Sequence, residues 1–359
     1  MWPYSGTGKA LAPSASGFLI ELGNWRVILC KSMTSKSQSR IPLRFAPKGS
    51  SGAVVFLLAL LLGIPAHGGA DESTMKTFTY KTLAPNGDDL HLDVHRLPGD
   101  NIRPVVIFIH GGALMMGDRK MSSRPGSLLD TLLNAGYVVV SIDYRLAPNV
   151  KLPMIIEDVR DAYSWVRKSG PKLCRIDPKQ IFVMGQSAGG YLTQMTGFCV
   201  QPRPRALVSF WGYGDIAAEW YSRPDAFYRQ QPLVTKEEAE KPGSRKLYLY
   251  CRQQGLWPKV VTGHDPDTEP RAFDAYCPVR NVTRKYPPTL LVHGTKDTDV
   301  PYELSFQMDK ELTTRHVPHE FITIPEGIHG FRSKVDAEIE ARTYQQMLEF
   351  LSRYRTKIK

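Results

Sequence analysis

What the 359-residue chain lacks bounds it before any motif is read. Its longest apolar run, residues 53–62, is only ten residues, where a membrane-spanning helix needs about 20, so no stable membrane span is expected. It has no internal repeat and no low-complexity tract, which excludes solenoids and biased linkers. Basic runs interleaved with aromatics and nucleic-acid motifs are also missing. The net charge of +11 does not replace them. Residues 1–70 carry seven Lys/Arg against one Asp/Glu (+6), which leaves 39 against 34 (+5) for residues 71–359. No nucleic-acid partner is expected. The early Gly6-Thr7-Gly8-Lys9 lacks the preceding glycine of a phosphate loop. His264-Asp265-Pro266-Asp267 reads as a polar loop rather than a metal centre, and no metal or cofactor is expected. Cysteine is scarce, five in all.

What is present suits a globular protein with a large core, 42% apolar and 23% charged. The amino terminus reads as a targeting region. Lys36, Arg40, Arg44 and Lys48 precede the apolar run 53–62, and small residues follow from Ala66 to Ala70, the charged, apolar and cleavage zones of a signal peptide. The expected division is therefore a targeting region over 1–70, its signal peptide about 33–70, and a folded domain over 71–359. Met33 is the expected true start. Export to a secreted or periplasmic location is expected, and anchoring by residues 53–62 is the alternative.

The organising stretch is Ile181-Phe182-Val183-Met184-Gly185-Gln186-Ser187-Ala188-Gly189-Gly190. An apolar strand runs into Gly-x-Ser-x-Gly and then a helical pattern over 191–198. A serine lifted above a sheet edge must sit on a tight, strained turn. Gly185 and Gly189 leave room for that turn, and the N–H of Ala188 opens the following helix. Ser187 is the candidate nucleophile. Upstream, Val105-Val106-Ile107-Phe108-Ile109 enters His110-Gly111-Gly112-Ala113, where bare backbone can approach a ligand. Gly111, Gly112 and Ala188 are the candidate oxyanion donors. Downstream, one strand leads into His293-Gly294-Thr295-Lys296-Asp297 and another into Pro325-Glu326-Gly327-Ile328-His329-Gly330. Each places a polar residue just past a strand, where the sites of open parallel sheets lie. Asp297 is the candidate acid and His329 the candidate base. Asp299 is the runner-up acid, and His316 and His319 are weaker bases because they precede a strand.

The order Ser187, Asp297, His329 is similar to that of the α/β-hydrolases. Asp143-Tyr144-Arg145-Leu146-Ala147-Pro148, His-Gly-Gly and Gly-x-Ser-Ala-Gly-Gly resemble the hormone-sensitive-lipase-type esterases. His293 to Pro301 and Ile328-His329-Gly330-Phe331 resemble the catalytic domain of prolyl oligopeptidases. The resemblance covers about residues 78–352. It departs at Gln186, where an acidic residue is usual, and at Ala113, where a third glycine is usual. It implies an α/β-hydrolase fold with a small-molecule ester as partner, and a carboxylic-ester hydrolase working through an acyl-enzyme. A serine peptidase and a non-catalytic binding protein on the same fold are the alternatives. It also implies that His110 supports the glycine loop and that Asp143 and Arg145 brace it.

Period and turn signals give eight strands: 78–82, 90–96, 105–109, 137–142, 181–186, 206–211, 289–292 and 320–324. Helices are expected over 127–135, 154–168 and about 335–354. This is an α/β pattern, a mostly parallel eight-stranded sheet with helices on both faces. Residues 212–288 hold no convincing strand and many aromatics, and are read as an inserted cap with a capping box at Thr235-x-x-Glu238. In the fold so implied, Cys174 pairs with Cys199 and Cys251 with Cys277 if disulfides form; buried free thiols are the alternative.

Overall fold

The computed structural model describes residues 18–22, 25–29, 46–47, 73–83, 88–241, 244–331 and 337–356. The chain divides into two units, Met1–His67 and Gly68–Lys359. In the first, Phe18–Leu22, Trp25–Leu29 and Ala46–Pro47 form a small antiparallel sheet. The apolar run at 53–62 lies outside the described residues. Among those described, no helix is long and apolar enough to cross a membrane.

The second unit is built on one sheet of eight strands: β1 Thr74–Lys81, β2 Leu90–Arg96, β3 Arg103–Ile109, β4 Val138–Ile142, β5 Ile176–Gln186, β6 Leu207–Phe210, β7 Thr289–Gly294 and β8 His319–Ile324. Their order across the sheet is β8-β7-β6-β5-β3-β4-β2-β1. The first two strands pair antiparallel and β2 pairs antiparallel with β4; every other pairing is parallel. These are the eight expected strands. Two start four or five residues earlier than their apolar runs suggest, because β1 begins at Thr74 on an edge open to water and β5 takes in Ile176 through Gln180 before its buried part.

Alternation fixes the two faces. Ile107, Val140, Val183 and Leu291 point into one core, while Phe108, Val139, Met184 and Val292 point into the other. Helices α1 Leu128–Asn134 and α2 Leu152–Lys168 cover opposite faces. The first is opened by the Ser127 side chain, which accepts from the Asp130 N–H. The second starts over Pro153 and buries Ile155, Val159, Ala162 and Val166, four positions at helical spacing. Directly beyond the expected helix end at 168, a short helix α3, Gly170–Cys174, follows. Pro171 is accommodated there because a helix's first turn has no acceptor for its missing N–H.

Helix α4 Ala188–Cys199 leaves β5 at once and lies in the core with α2. After the last strands, α10 Tyr302–Thr314 joins the α2 face and α11 Ala337–Tyr354 joins α1 on the other. Between β6 and β7 the insertion holds five short helices, α5 Glu219–Ser222, α6 Ala226–Arg229, α7 Lys236–Ala239, α8 Leu247–Gln254 and α9 Trp257–Thr262. The capping box at Thr235 and Glu238 forms as the spacing predicts.

The four cysteines of the second unit are free thiols, so neither suggested disulfide forms. The Cys277 thiol donates to Asp215 Oδ1 at 3.1 Å. Burial pushes the thiols of Cys199, Cys251 and Cys277 up to about 12.

Candidate active site

Strands β3, β5, β6, β7 and β8 are consecutive neighbours and all parallel, so their carboxyl ends form one edge. Gln186, Phe210, Val292 and Ile322 lie in register across it, with neighbouring strands about 4.8 Å apart. Each candidate residue follows within a few residues of that edge. The geometry of a parallel sheet thus gathers residues far apart in sequence.

Ser187 sits directly between β5 and α4 at φ 56° and ψ −120°, a left-handed backbone that a side chain rarely adopts and that stores strain. The turn is held by the Ser187 N–H donating to the Phe210 carbonyl at 2.9 Å and by the Tyr191 N–H donating to the Ser187 carbonyl at 2.9 Å. It also needs its glycines. A Cβ on Gly189 would lie 2.0 Å from the Ile109 carbonyl oxygen, and one on Gly185 would lie 2.4 Å from that of Gly189. The elbow is packed against the end of β3 with no space left.

That contact brings the second glycine loop beside the serine. A Cβ on Gly111 would lie 2.9 Å from the Gln186 carbonyl oxygen and 3.3 Å from the Ser187 Cβ. Gly112 has φ 104°, and Ala113 and Leu114 continue at 55° and 61°. The departure from a third glycine at Ala113 is therefore real in conformational terms, since alanine takes up a backbone that glycine would adopt freely. Its carbonyl accepts a hydrogen bond from Trp257 Nε1 at 3.0 Å, which holds the loop from the insertion. His110 stacks on Tyr144 at 4.2 Å, and its Nδ1 lies 2.7 Å from the Gly111 carbonyl. Tyr144 donates to the His110 carbonyl. Burial holds the His110 imidazole below its ordinary pKa, so it is a neutral donor to the loop, the supporting role the sequence suggested.

Asp143 and Arg145 divide in function. Asp143 accepts from Arg119, through the backbone at 3.0 Å and the guanidinium at 2.6 Å, and so anchors the segment leaving the glycine loop. Arg145, expected beside it, instead pairs with the fully buried Asp158 of α2 at 2.6 Å. Lys81 of β1 completes that cluster. It braces a strand and a helix, since Asp158 lies on α2 and Lys81 on β1.

Asp297 is buried, and four donors surround it. Oδ2 lies 2.8 Å from His329 Nδ1 and 3.2 Å from His293 Nε2, and Oδ1 accepts the N–H groups of Asp299 and Val300, both at 2.9 Å. Burial opposes its charge, but the hydrogen bonds from His293 and His329 outweigh that cost and hold its carboxyl well below the usual range. Asp299, the runner-up acid, is close by but on the other nitrogen, with Oδ2 3.4 Å from His329 Nε2. His319 is paired with Asp309 and opens β8 opposite Thr289, at the far end of the sheet. His316 lies just before it, so the structure brings neither to the site. His264 pairs with Glu269 and Asp267 with Arg223, away from any shared centre.

Three groups near His329 are not among the candidate site residues. Trp211, at φ 37° directly after β6, sets its ring 6.1 Å from that of His329 and 5.1 Å from Phe331. His293 holds the second donor to Asp297, its Nδ1 2.7 Å from Ser305 Oγ. Arg252 of α8 reaches Asp299 and is 1% exposed. The His-Gly-x-x-Asp spacing could have flagged His293, but nothing in the sequence of the insertion distinguishes Arg252 from a surface arginine.

A family model described as alpha/beta hydrolase fold matches residues 106–333. Esterase LipC of Mycobacterium tuberculosis is 30% identical over 231 residues, spanning 64% of this chain and 53% of LipC. The non-reducing polyketide synthase adrD of Penicillium rubens is 29% identical over 289 residues, 64% of this chain and 11% of the synthase. The chain thus spans only part of each relative's length. Among solved structures, carboxyl esterase 2 from the mycorrhizal fungus Tuber melanosporum is similar with a TM-score of 0.60 and 23% identity, over 81% of this chain and 89% of that one. A truncated carbohydrate esterase from gut microbiota gives 0.58 and 22%, over 80% and 98%. At these identities the likeness to the solved structures is one of fold.

Proposed function

The chain belongs to the alpha/beta hydrolase fold family, and on that premise we propose that it hydrolyses carboxylic esters through Ser187, His329 and Asp297. The observation that carries this reading is a strained, elbow-borne serine on the same sheet edge as a His329 imidazole held by the buried Asp297 carboxylate. Strain at a serine costs on the order of 1–3 kcal/mol, and no structural need requires a serine there.

In this reading His329 Nε2 takes the Ser187 proton as Oγ attacks the ester carbonyl. The charge that develops on the imidazolium is matched by Asp297, already ionised and aimed at Nδ1. The oxyanion collects N–H groups of Gly111, Gly112 and Ala188, the last at the first position of α4, where a helix offers no internal acceptor. Each such donor is worth about 3 kcal/mol. His329 then protonates the departing alcohol, and water repeats the sequence on the acyl-enzyme. The insertion acts as a cap, because Trp257 and Arg252 contact the glycine loop and the acid loop directly. The names of LipC and of the solved esterases support an ester as substrate. The prolyl-oligopeptidase likeness at the carboxy-terminal motifs keeps a peptide bond as the second reading.

The purified protein and its Ser187→Ala variant are compared for nitrophenol release from acetyl, butyryl and octanoyl esters. Turnover by the first and a loss of several orders of magnitude in the second supports the mechanism. Equal inertness of two folded proteins would overturn the ester reading and move the test to peptide substrates.

A further inference from the structure

The insertion carries a buried charge that helps to place a carboxylate. Arg252 lies with its guanidinium 4.9 Å from the ring centre of Tyr221 and 4.5 Å from that of Tyr228. It pairs with Asp225 Oδ2 at 2.6 Å and with Asp299 Oδ1 at 2.9 Å, and also donates to the Asp299 carbonyl at 2.9 Å. The hydroxyls of Tyr228 and Tyr248 both donate to the same Asp299 Oδ1 at 2.5 Å. One oxygen of Asp299 is therefore saturated by three donors from two cap helices, α6 and α8. Burying an arginine with two carboxylates is costly, and an apolar cluster of equal volume would hold the cap as well.

The other oxygen is left for the site. Asp299 Oδ2 has His329 Nε2 at 3.4 Å, and its side chain is 22% exposed where its partner Arg252 is 1%. In the proposed reaction Nε2 is the nitrogen that hands the proton to the departing alcohol. Any group that flanks Nε2 within a hydrogen-bond length or so also flanks the leaving oxygen. Asp299 thus faces the alcohol half of the ester and not the acyl half. Arg252 shares its charge between Asp225 and Asp299, and Oδ2 offers acceptor lone pairs toward the site.

From this, and resting on the ester reading above, we infer that Asp299 is a specificity-determining residue. It accepts a hydrogen bond from a hydroxyl on the carbon next to the esterified one, so that the preferred substrates are esters of polyhydroxy alcohols, glycol-like or sugar-like. A simple alkyl ester leaves that oxygen to be desolvated without a donor, a loss that falls on kcat/KM. Tyr228 and Tyr248 act through Asp299 by fixing its rotation, and are positioning residues.

The test compares kcat/KM for 2-hydroxyethyl acetate and 2-methoxyethyl acetate, nearly equal in size but differing in the donor, followed by acid release. Nitrophenyl acetate with Ser187→Ala is run alongside. The wild type should prefer the hydroxyethyl ester by at least about tenfold, the worth of one hydrogen bond to a charged group, and Asp299→Asn should bring the ratio within about twofold. A wild-type ratio near one, with nitrophenyl acetate still cleaved by Ser187, would overturn the inference and leave the esterase reading standing. A high ratio that survives Asp299→Asn would also overturn it. Inertness of the wild type toward all three esters would take down the ester reading and this inference with it. If Asp299→Asn does not fold, Tyr228→Phe and Tyr248→Phe keep the Arg252 ion pair and supply the ratio. It should fall severalfold in each, and an unchanged ratio in both counts against the assignment.

Discussion

The indole of Trp257 donates to the carbonyl of Ala113 at 3.0 Å, joining the insertion to the loop that carries the candidate oxyanion donors across 144 residues of chain. Ala113 is one of two consecutive non-glycine residues with positive φ, so the loop is strained where it is tied. Trp257→Phe keeps the buried ring and deletes the donor. The expected cost is about 1 kcal/mol of stability with a larger proportional fall in kcat than in KM, since the donors meet charge only in the transition state. Steady-state kinetics beside thermal unfolding tests it. A change in KM alone would mean that the indole holds the cap and not the loop.

Two glycines, one of the elbow and one of the loop beside it, separate folding from chemistry. Gly189→Ala drives a methyl to 2.0 Å from a main-chain oxygen of β3, while Gly111→Ala meets one at 2.9 Å and the Ser187 Cβ at 3.3 Å. The first variant should be recovered unfolded or destabilised by more than about 4 kcal/mol. The second should fold and lose about 100-fold in kcat, as when one oxyanion donor is displaced. Circular dichroism and urea titration distinguish the two. A folded, fully active Gly189→Ala would contradict the packing at this turn.

Much of this was legible in the chain. The strands read out because a sheet buried on both faces demands apolar runs, and the elbow read out because only small residues fit around Ser187. Asp297 could be chosen over Asp299 from the spacing after His293. The surroundings of Asp299 were not legible, because its three side-chain donors come from α6 and α8, whose packing no local period encodes. The pairing of Arg145 with Asp158 was missed for a related reason. Arg145 stands in the same motif as Asp143, and only the packing of α2 against the sheet brings Asp158 to it. The early starts of β1 and β5 lie in polar stretches that pattern alone assigns to loops.

The neutral His110 makes the glycine loop sensitive to acid. Its folded pKa is lowered by burial from the ordinary 6.5, so the unfolded chain binds the proton more readily. Stability from this group is therefore fully present above about pH 6.5 and is lost as pH falls below it. Urea unfolding at pH 5 and pH 7.5 should show the wild type weaker at the lower pH. His110→Asn should show a smaller difference but not zero, because buried His95 is shifted the same way. Equal pH dependence in the two proteins would place the proton elsewhere.

Asp297→Asn is the sharpest test of the proposed acid. The asparagine keeps the volume, and its carbonyl can still accept the N–H groups of Asp299 and Val300. Its amide nitrogen then occupies the place of Oδ2, where His329 Nδ1 and His293 Nε2 both donate in the wild type. Two donors facing a donor force the imidazole of His329 to move its proton to Nε2, the nitrogen that must be free to take one from Ser187. The expected fall in kcat near neutral pH is about 10⁴-fold, the size found when the acid of such a triad is made neutral. Because Asp297 sits well below the ordinary carboxylate range in the fold, the wild type should also lose stability as pH falls through about 4, and the variant should lack that step. Kinetics on nitrophenyl acetate and acid titration of unfolding read the two effects separately. If Asp297→Asn retained a tenth of the activity while Asp299→Asn lost nearly all, the roles of the two carboxylates would be exchanged.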